Sequence, residues 1–179
     1  MLPRAQEVRT ANLLGALAVR ATDATQDAVA DATGLAPVEA AAVNLLASSL
    51  PSAGIQVLAD GLGLSQPGAT RLVDRLARRG VVRRGPGPDG RTRAVVLTEE
   101  GGRLAARVAE ARRDALVALL TPLEPSARVA LAAGIEQLLE PLATSTDDAV
   151  RGCRLCDPVA CGHLDGRCPV TRGLDARGR

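Results

Sequence analysis

Apolar positions recur at intervals of three and four along most of the chain, the period of helices that bury one face. Over residues 3–32, Leu13, Leu17, Ala21, Ala28 and Val29 fall near that spacing, with Arg9, Arg20, Asp23 and Asp27 between them. This predicts one long helix, punctuated by Gly34 and Pro37. Pro37 starts a second helix carrying Ala41, Leu45 and Leu46, which Pro51-Ser52 ends. A short helix over 53–62 would bury Ile55, Leu58 and Ala59, with Gly61 and Gly63 at its end. Ser65 is a favourable N-cap for the next helix, and Pro67 suits its first turn. That helix has a stripe at Ala69, Leu72, Val73 and Leu76, spaced i, i+3, i+4, i+7, and Gly80 stops it.

Two short strands follow, over 81–84 and 93–97, joined by the turn-forming residues 85–90, so a hairpin is expected. Thr98 then caps another helix, where Glu99 and Glu100 favour the positive end of the helix dipole. Leu104, Val108, Ala111, Ala115 and Leu119 repeat along it. After Pro122 and Pro125 the same spacing returns at Leu131, Ile135, Leu138 and Leu142. The expected fold is mainly α with a small β-hairpin. It divides into a first helix (1–36), a helix-helix-turn-helix-hairpin unit (37–97), a pair of helices (98–143) and a Gly-, Asp- and Arg-rich tail (144–179). The stripes at Leu13, Leu17, Leu131, Ile135 and Leu138 exceed what one small core needs, so the first and last helices are expected to build a homodimer.

Composition narrows the function. The chain has 179 residues, 46% hydrophobic, with no Phe, Tyr or Trp, and Arg carries the positive charge because there is no Lys. The core must therefore be filled by Leu, Val, Ile and Ala, and no ring is present to stack an unpaired base, which excludes aromatic-platform recognition of single strands. The net charge of +2 says little, but Arg is dense over 71–93, where acidic residues are scarce. No apolar run is long enough for a bilayer, and the first twenty residues lack the order of a signal peptide, so a cytoplasmic protein is expected. With one His, no Tyr, no phosphate-binding loop and no Ser-His-Asp order, no catalytic set is found. The Gly-Leu-Gly at 61–63 follows no strand and reads as a turn.

The helix over 65–79 buries one face and offers Gln66, Thr70, Arg71, Asp74, Arg75 and Arg78 on the other. Its N-terminal residues could enter a major groove. There Gln66 could pair with adenine, and Arg71 or Arg75 with guanine. The backbone N–H groups near Ser65 could hold a phosphate. Arg91 and Arg93 flank the hairpin turn, where a β-ribbon can insert Arg into a minor groove.

The stretch over 58–82, LADGLGLSQPGATRLVDRLARRGVV, resembles the helix-turn-helix of the MarR (multiple-antibiotic-resistance regulator) family. The resemblance continues through Asp89-Gly90-Arg91 to the LTEEG at 97–101, and by segment order it covers about 36–142. It implies a winged helix-turn-helix between helices that form a homodimer, and repression at pseudo-palindromic duplex DNA, often relieved by a small molecule or oxidant. By position, Ser65, Gln66, Thr70, Arg71 and Arg75 would face the major groove, with Arg91 in the minor groove and Asp89 orienting it. Two departures stand out. Gly68 lies early in the recognition helix, at a cost of up to about 1 kcal/mol. The missing aromatics also remove rings that often line the family's effector cleft.

The tail holds all the cysteines: Cys153, Cys156, Cys161 and Cys168, spaced C-x2-C-x4-C-x6-C, with His163 inside the set. In a reducing compartment such clustering points to metal or redox chemistry rather than structural disulfides. Four thiolates satisfy a closed tetrahedral zinc site. An iron–sulfur cluster and a metal-free thiol switch are the alternatives. Two further functional readings stay open: a sensor whose tail controls DNA binding, and a helical interaction module that binds no DNA.

Overall fold

The computed structural model describes residues 4–87 and 93–178. In chain order these form α1 (Arg4–Thr33), α2 (Pro37–Ala47), α3 (Ile55–Leu62), α4 (Gln66–Arg78), β1 (Val82–Pro86), β2 (Arg93–Leu97), α5 (Glu99–Leu120), α6 (Pro125–Leu139), α7 (Thr146–Gly152) and α8 (Pro169–Arg177). The run from α2 to β2 is a winged helix-turn-helix, and its core is the expected aliphatic one. Leu45, Leu58, Leu72, Val73, Leu76 and Val95 are fully buried together, each side chain contributing about 1.5–3 kcal/mol of transfer free energy.

Local chemistry sets each junction. The Ser65 hydroxyl accepts the Gly68 N–H at 3.3 Å and starts α4. Between α3 and α4 the chain reverses at Gly63, whose φ of +67° lies in the left-handed region that L side chains rarely adopt. Thr98 accepts the Gly101 N–H at 3.0 Å and donates to the Gly80 carbonyl at 2.6 Å. One side chain thus caps α5 and ties it to the end of α4. β1 and β2 pair antiparallel from Val82↔Leu97 to Pro86↔Arg93. Ala53 bridges the other edge of β2, accepting the Val95 N–H at 2.8 Å. That bridge explains why α3 begins at Ile55 rather than at Ala53, where the sequence pattern placed it: the preceding backbone serves the sheet instead.

α5 supplies Leu104, Ala105 and Val108 to the same core and packs along α1, then continues beyond it. Of α1, only Val29 is buried, and no residue of α6 is. Leu13, Leu17, Ile135 and Leu138 remain about half exposed. Their stripes find no partner within the protomer among the described residues.

The tail is more ordered than its composition suggests. Ser145 caps α7 through the Asp148 N–H at 3.2 Å, while Asp148 reaches back to the Thr144 N–H at 3.0 Å. Pro169 opens α8. No helix was expected here, because Thr146–Gly152 and Pro169–Arg177 carry few apolar residues and no stripe at helical spacing.

Candidate nucleic-acid interface

The four buried residues of α4 turn its opposite face outward, as the stripe predicts. Gln66, Arg71, Arg75 and Arg78 are exposed, while Thr70 is half-buried and donates its hydroxyl to the Gln66 carbonyl at 3.0 Å. Over residues 66–87 the charged side chains are Arg71, Arg75, Arg78, Arg79, Arg83, Arg84 and a single acid, Asp74. Positive potential is therefore concentrated along α4 and β1.

These residues do not all have the same freedom. Among the described residues, Arg71 makes no hydrogen bond or ion pair. Arg75 is different: its Nε lies 3.4 Å from Glu39 Oε1, and Arg79 Nη1 lies 3.1 Å from Glu39 Oε2. Glu39, on α2, is only 7% exposed and also accepts the Ala36 N–H at 3.1 Å. A buried carboxylate is costly unless paired, and here two guanidinium groups and a backbone N–H satisfy it. The clamp fixes α4 on α2. Asp74 pairs with Arg84 at 2.7 Å and fixes α4 on β1. Of the six side chains expected to project freely, Asp74 and Arg75 therefore also hold the recognition helix in place. Arg93 is exposed at the start of β2, opposite Pro86. Asp89 and Arg91 lie outside the described residues.

Sequence reasoning missed Glu39. An acid in the first turn of a helix is legible, but its partners are 36 and 40 residues away, and only the fold, with α3 packed on both α2 and α4, brings them together. It missed Asn44 for the same reason. This buried side chain donates from Nδ2 to the Arg154 carbonyl at 3.1 Å and the Cys156 carbonyl at 3.2 Å, fastening the tail to α2. α7 lies on α3, and a Cβ on Gly61 would stand 3.2 Å from Val150 Cγ1, so the close approach depends on glycine.

The four cysteines line one cleft of about 550 Å³. Cys168 is buried in a small second core with Ala143 and Val170, against which Cys153 and Cys161 pack. The Cys156 thiol hydrogen-bonds with Cys153, which lowers Cys153 below its ordinary thiol value and raises Cys156. Burial, then the charge of Cys156, pushes Cys161 up to about 12. The His163 Nδ1 is engaged elsewhere, 3.0 Å from Thr171 Oγ1. As placed, no three His, Cys, Asp or Glu side chains among the described residues are arranged to hold an ion. A separate cleft of about 250 Å³ lies where α1, α2 and the tail meet, lined in part by Val29, Leu35, Val38, Arg112, Arg154 and Leu155.

The model of the MarR family matches residues 33–92, which run from the end of α1 through the helix-turn-helix to the wing. Over these residues the chain is similar to the MarR family. Solved structures agree with the MarR fold over a longer stretch. A MarR family protein from Bacillus stearothermophilus superposes with a TM-score of 0.67 at 20% identity, over 77% of this chain and 96% of that one. MepR, a transcription regulator of the Staphylococcus aureus multidrug efflux pump MepA, gives 0.65 at 14% identity, over 74% and 98%. The PcaV transcriptional regulator from Streptomyces coelicolor gives 0.53 at 24% identity, over 69% and 93%. No curated protein matches by sequence. MarR proteins are transcription regulators rather than enzymes, in keeping with the lack of a catalytic set in the sequence. No single helix among the described residues is long and apolar enough to cross a membrane.

Proposed function

We propose that this protein is a cytoplasmic, homodimeric transcription regulator that binds duplex DNA sequence-specifically and represses. One observation carries the reading: on a domain similar to the MarR family, the outward face of α4 presents Gln66 and Arg71, the latter without a partner among the described residues, on a helix braced from two sides by Glu39 and Arg84. A rigidly held helix with Arg and Gln near its N-terminus suits major-groove base edges, where Arg reads guanine and Gln reads adenine. Thr70 and the N–H groups following Ser65 suit the flanking phosphates. In this reading the hairpin that carries Arg93 reaches the next minor groove, with Arg91 entering it and Asp89 orienting Arg91 as the family resemblance implies.

The second protomer is the occupant that best fits the uncovered apolar side chains of α1 and α6. Leu13, Leu17, Ile135 and Leu138 would pack against their counterparts, placing two recognition helices about 34 Å apart to meet successive major grooves. The cleft lined by Arg112 and Arg154 would take a small effector with an anionic group, whose binding would shift the α2–tail contact. Salt titration tests the DNA assignment. A dimer using several arginines should lose affinity linearly in log salt, with a slope of about −0.9 per phosphate contacted. Salt-independent or absent duplex binding would instead favour a helical interaction module.

A further inference from the structure

We infer that Cys153, Cys156, Cys161 and Cys168 together bind one zinc ion, and that the resulting thiolate site staples the tail to the helix-turn-helix. The four cysteines come from separate places in the tail and border one cleft: the end of α7, the turn after it, the loop over 157–167, and the N-cap of α8. The rest of the protein has no cysteine.

The donor set is the one the ion prefers, four thiols on one cleft, although as placed no three of the described side chains are arranged to hold it. In a tetrahedral zinc site with Zn–S bonds of about 2.3 Å, sulfurs stand about 3.8 Å apart. Cys153 and Cys161 pack against the buried Cys168, and Cys156 borders the same cleft, with the Cys156 and Cys161 thiols donating to the Asp157 and Pro158 carbonyls at 3.7 and 3.6 Å. Enclosing an ion then requires the four side chains to draw together within that cleft. Binding replaces four thiol protons by one Zn²⁺, leaving a site of charge −2, and Arg112 of α5 stands close enough to Cys156 to offset part of it. The segment also needs such a staple. Its own buried core consists only of Ala143, Cys168 and Val170, too little apolar area to hold a fold of this length without a cross-link or metal. Asn44 grips the carbonyls of Arg154 and Cys156 within the first Cys-x2-Cys turn, so ordering that turn also orders its attachment to α2.

The test uses the full-length protein, purified under reducing conditions without chelator, given excess zinc and desalted. One zinc per chain is expected. All four thiols should resist a thiol reagent until a mercurial displaces the metal, and cobalt substitution should give the intense thiolate charge-transfer bands of a tetrahedral sulfur site. Proteolysis of residues 144–178 should be slow with zinc and at least tenfold faster without it. Cys156→Ser should lose the ion, while His163→Ala should keep it. Should Cys156→Ser fail to fold, the wild-type zinc count and cobalt spectrum decide alone. The inference is overturned if wild-type protein holds no zinc and its four thiols react freely, if it carries a brown iron–sulfur cluster instead, or if His163→Ala loses the ion.

Discussion

Replacing Glu39 by Gln isolates the charge of the clamp that fixes the recognition helix. Gln keeps the volume of Glu39, and its amide oxygen can still accept the Ala36 N–H. What is lost is the negative charge opposite Arg75 and Arg79, at 3.4 and 3.1 Å. A hydrogen bond to a charged group contributes about 1.5–3 kcal/mol against about 0.5–1.5 for a neutral one, so two bonds could lose about 2–3 kcal/mol. Both arginine side chains are more than a third exposed, at 46% and 41%, and solvent screening reduces the figure to about 1–2 kcal/mol. With a urea slope of about 2 kcal/mol/M, the unfolding midpoint should fall by about 0.5–1 M at fixed protein concentration, with the slope unchanged. Glu39→Ala should cost more, because it also removes the bond to Ala36. An unchanged or raised midpoint for Glu39→Gln would refute the claim that the buried carboxylate holds α4 in place.

Arg71→Ala should weaken duplex binding by about 1–3 kcal/mol and relax the preference at the base pair it reads, with no change in thermal midpoint; a stability loss of the same size would place Arg71 in the fold instead. Asn44→Ala leaves the Arg154 and Cys156 carbonyls without a donor and should cost about 1–3 kcal/mol, with hydrogen exchange rising in the tail before the α2–α4 core. Ile135→Arg should leave the circular dichroism of the winged helix intact while sedimentation velocity at micromolar concentration shifts to the monomer; a wild-type protein that is already monomeric would remove the dimer from the account.

Much of this molecule was legible in its sequence because the physics that builds it is local. The stripe at Ala69, Leu72, Val73 and Leu76, the caps at Ser65 and Thr98, and the strand ending at Leu97 need only neighbours within a few residues, and each stands where its pattern places it, whereas β1 runs on to Pro86 through two residues expected in the turn because it pairs with β2. The elements that were not legible depend on contacts across the chain. Ala53 leaves its expected helix to bridge Val95. Arg75 turns part of its charge toward Glu39, and Asn44 reaches more than a hundred residues to the tail. α8 shows no apolar period of its own, and its Gly173 is pressed against the Glu140 carbonyl at the end of α6. The candidate site divides in the same way. The outward face of α4 followed from periodicity, but which of its side chains are free to meet DNA is decided by α2 and β1.

The most direct test of the central claim is selection of duplexes from a random library by the full-length protein at physiological salt. The account predicts enrichment of an inverted repeat whose half-sites lie about 10–10.5 base pairs apart, centre to centre, with Arg71→Ala relaxing the preference at one position in each half-site. Recovery of no common sequence, or enrichment that Arg71→Ala leaves unaltered, would contradict the assignment of α4 as the helix that reads DNA.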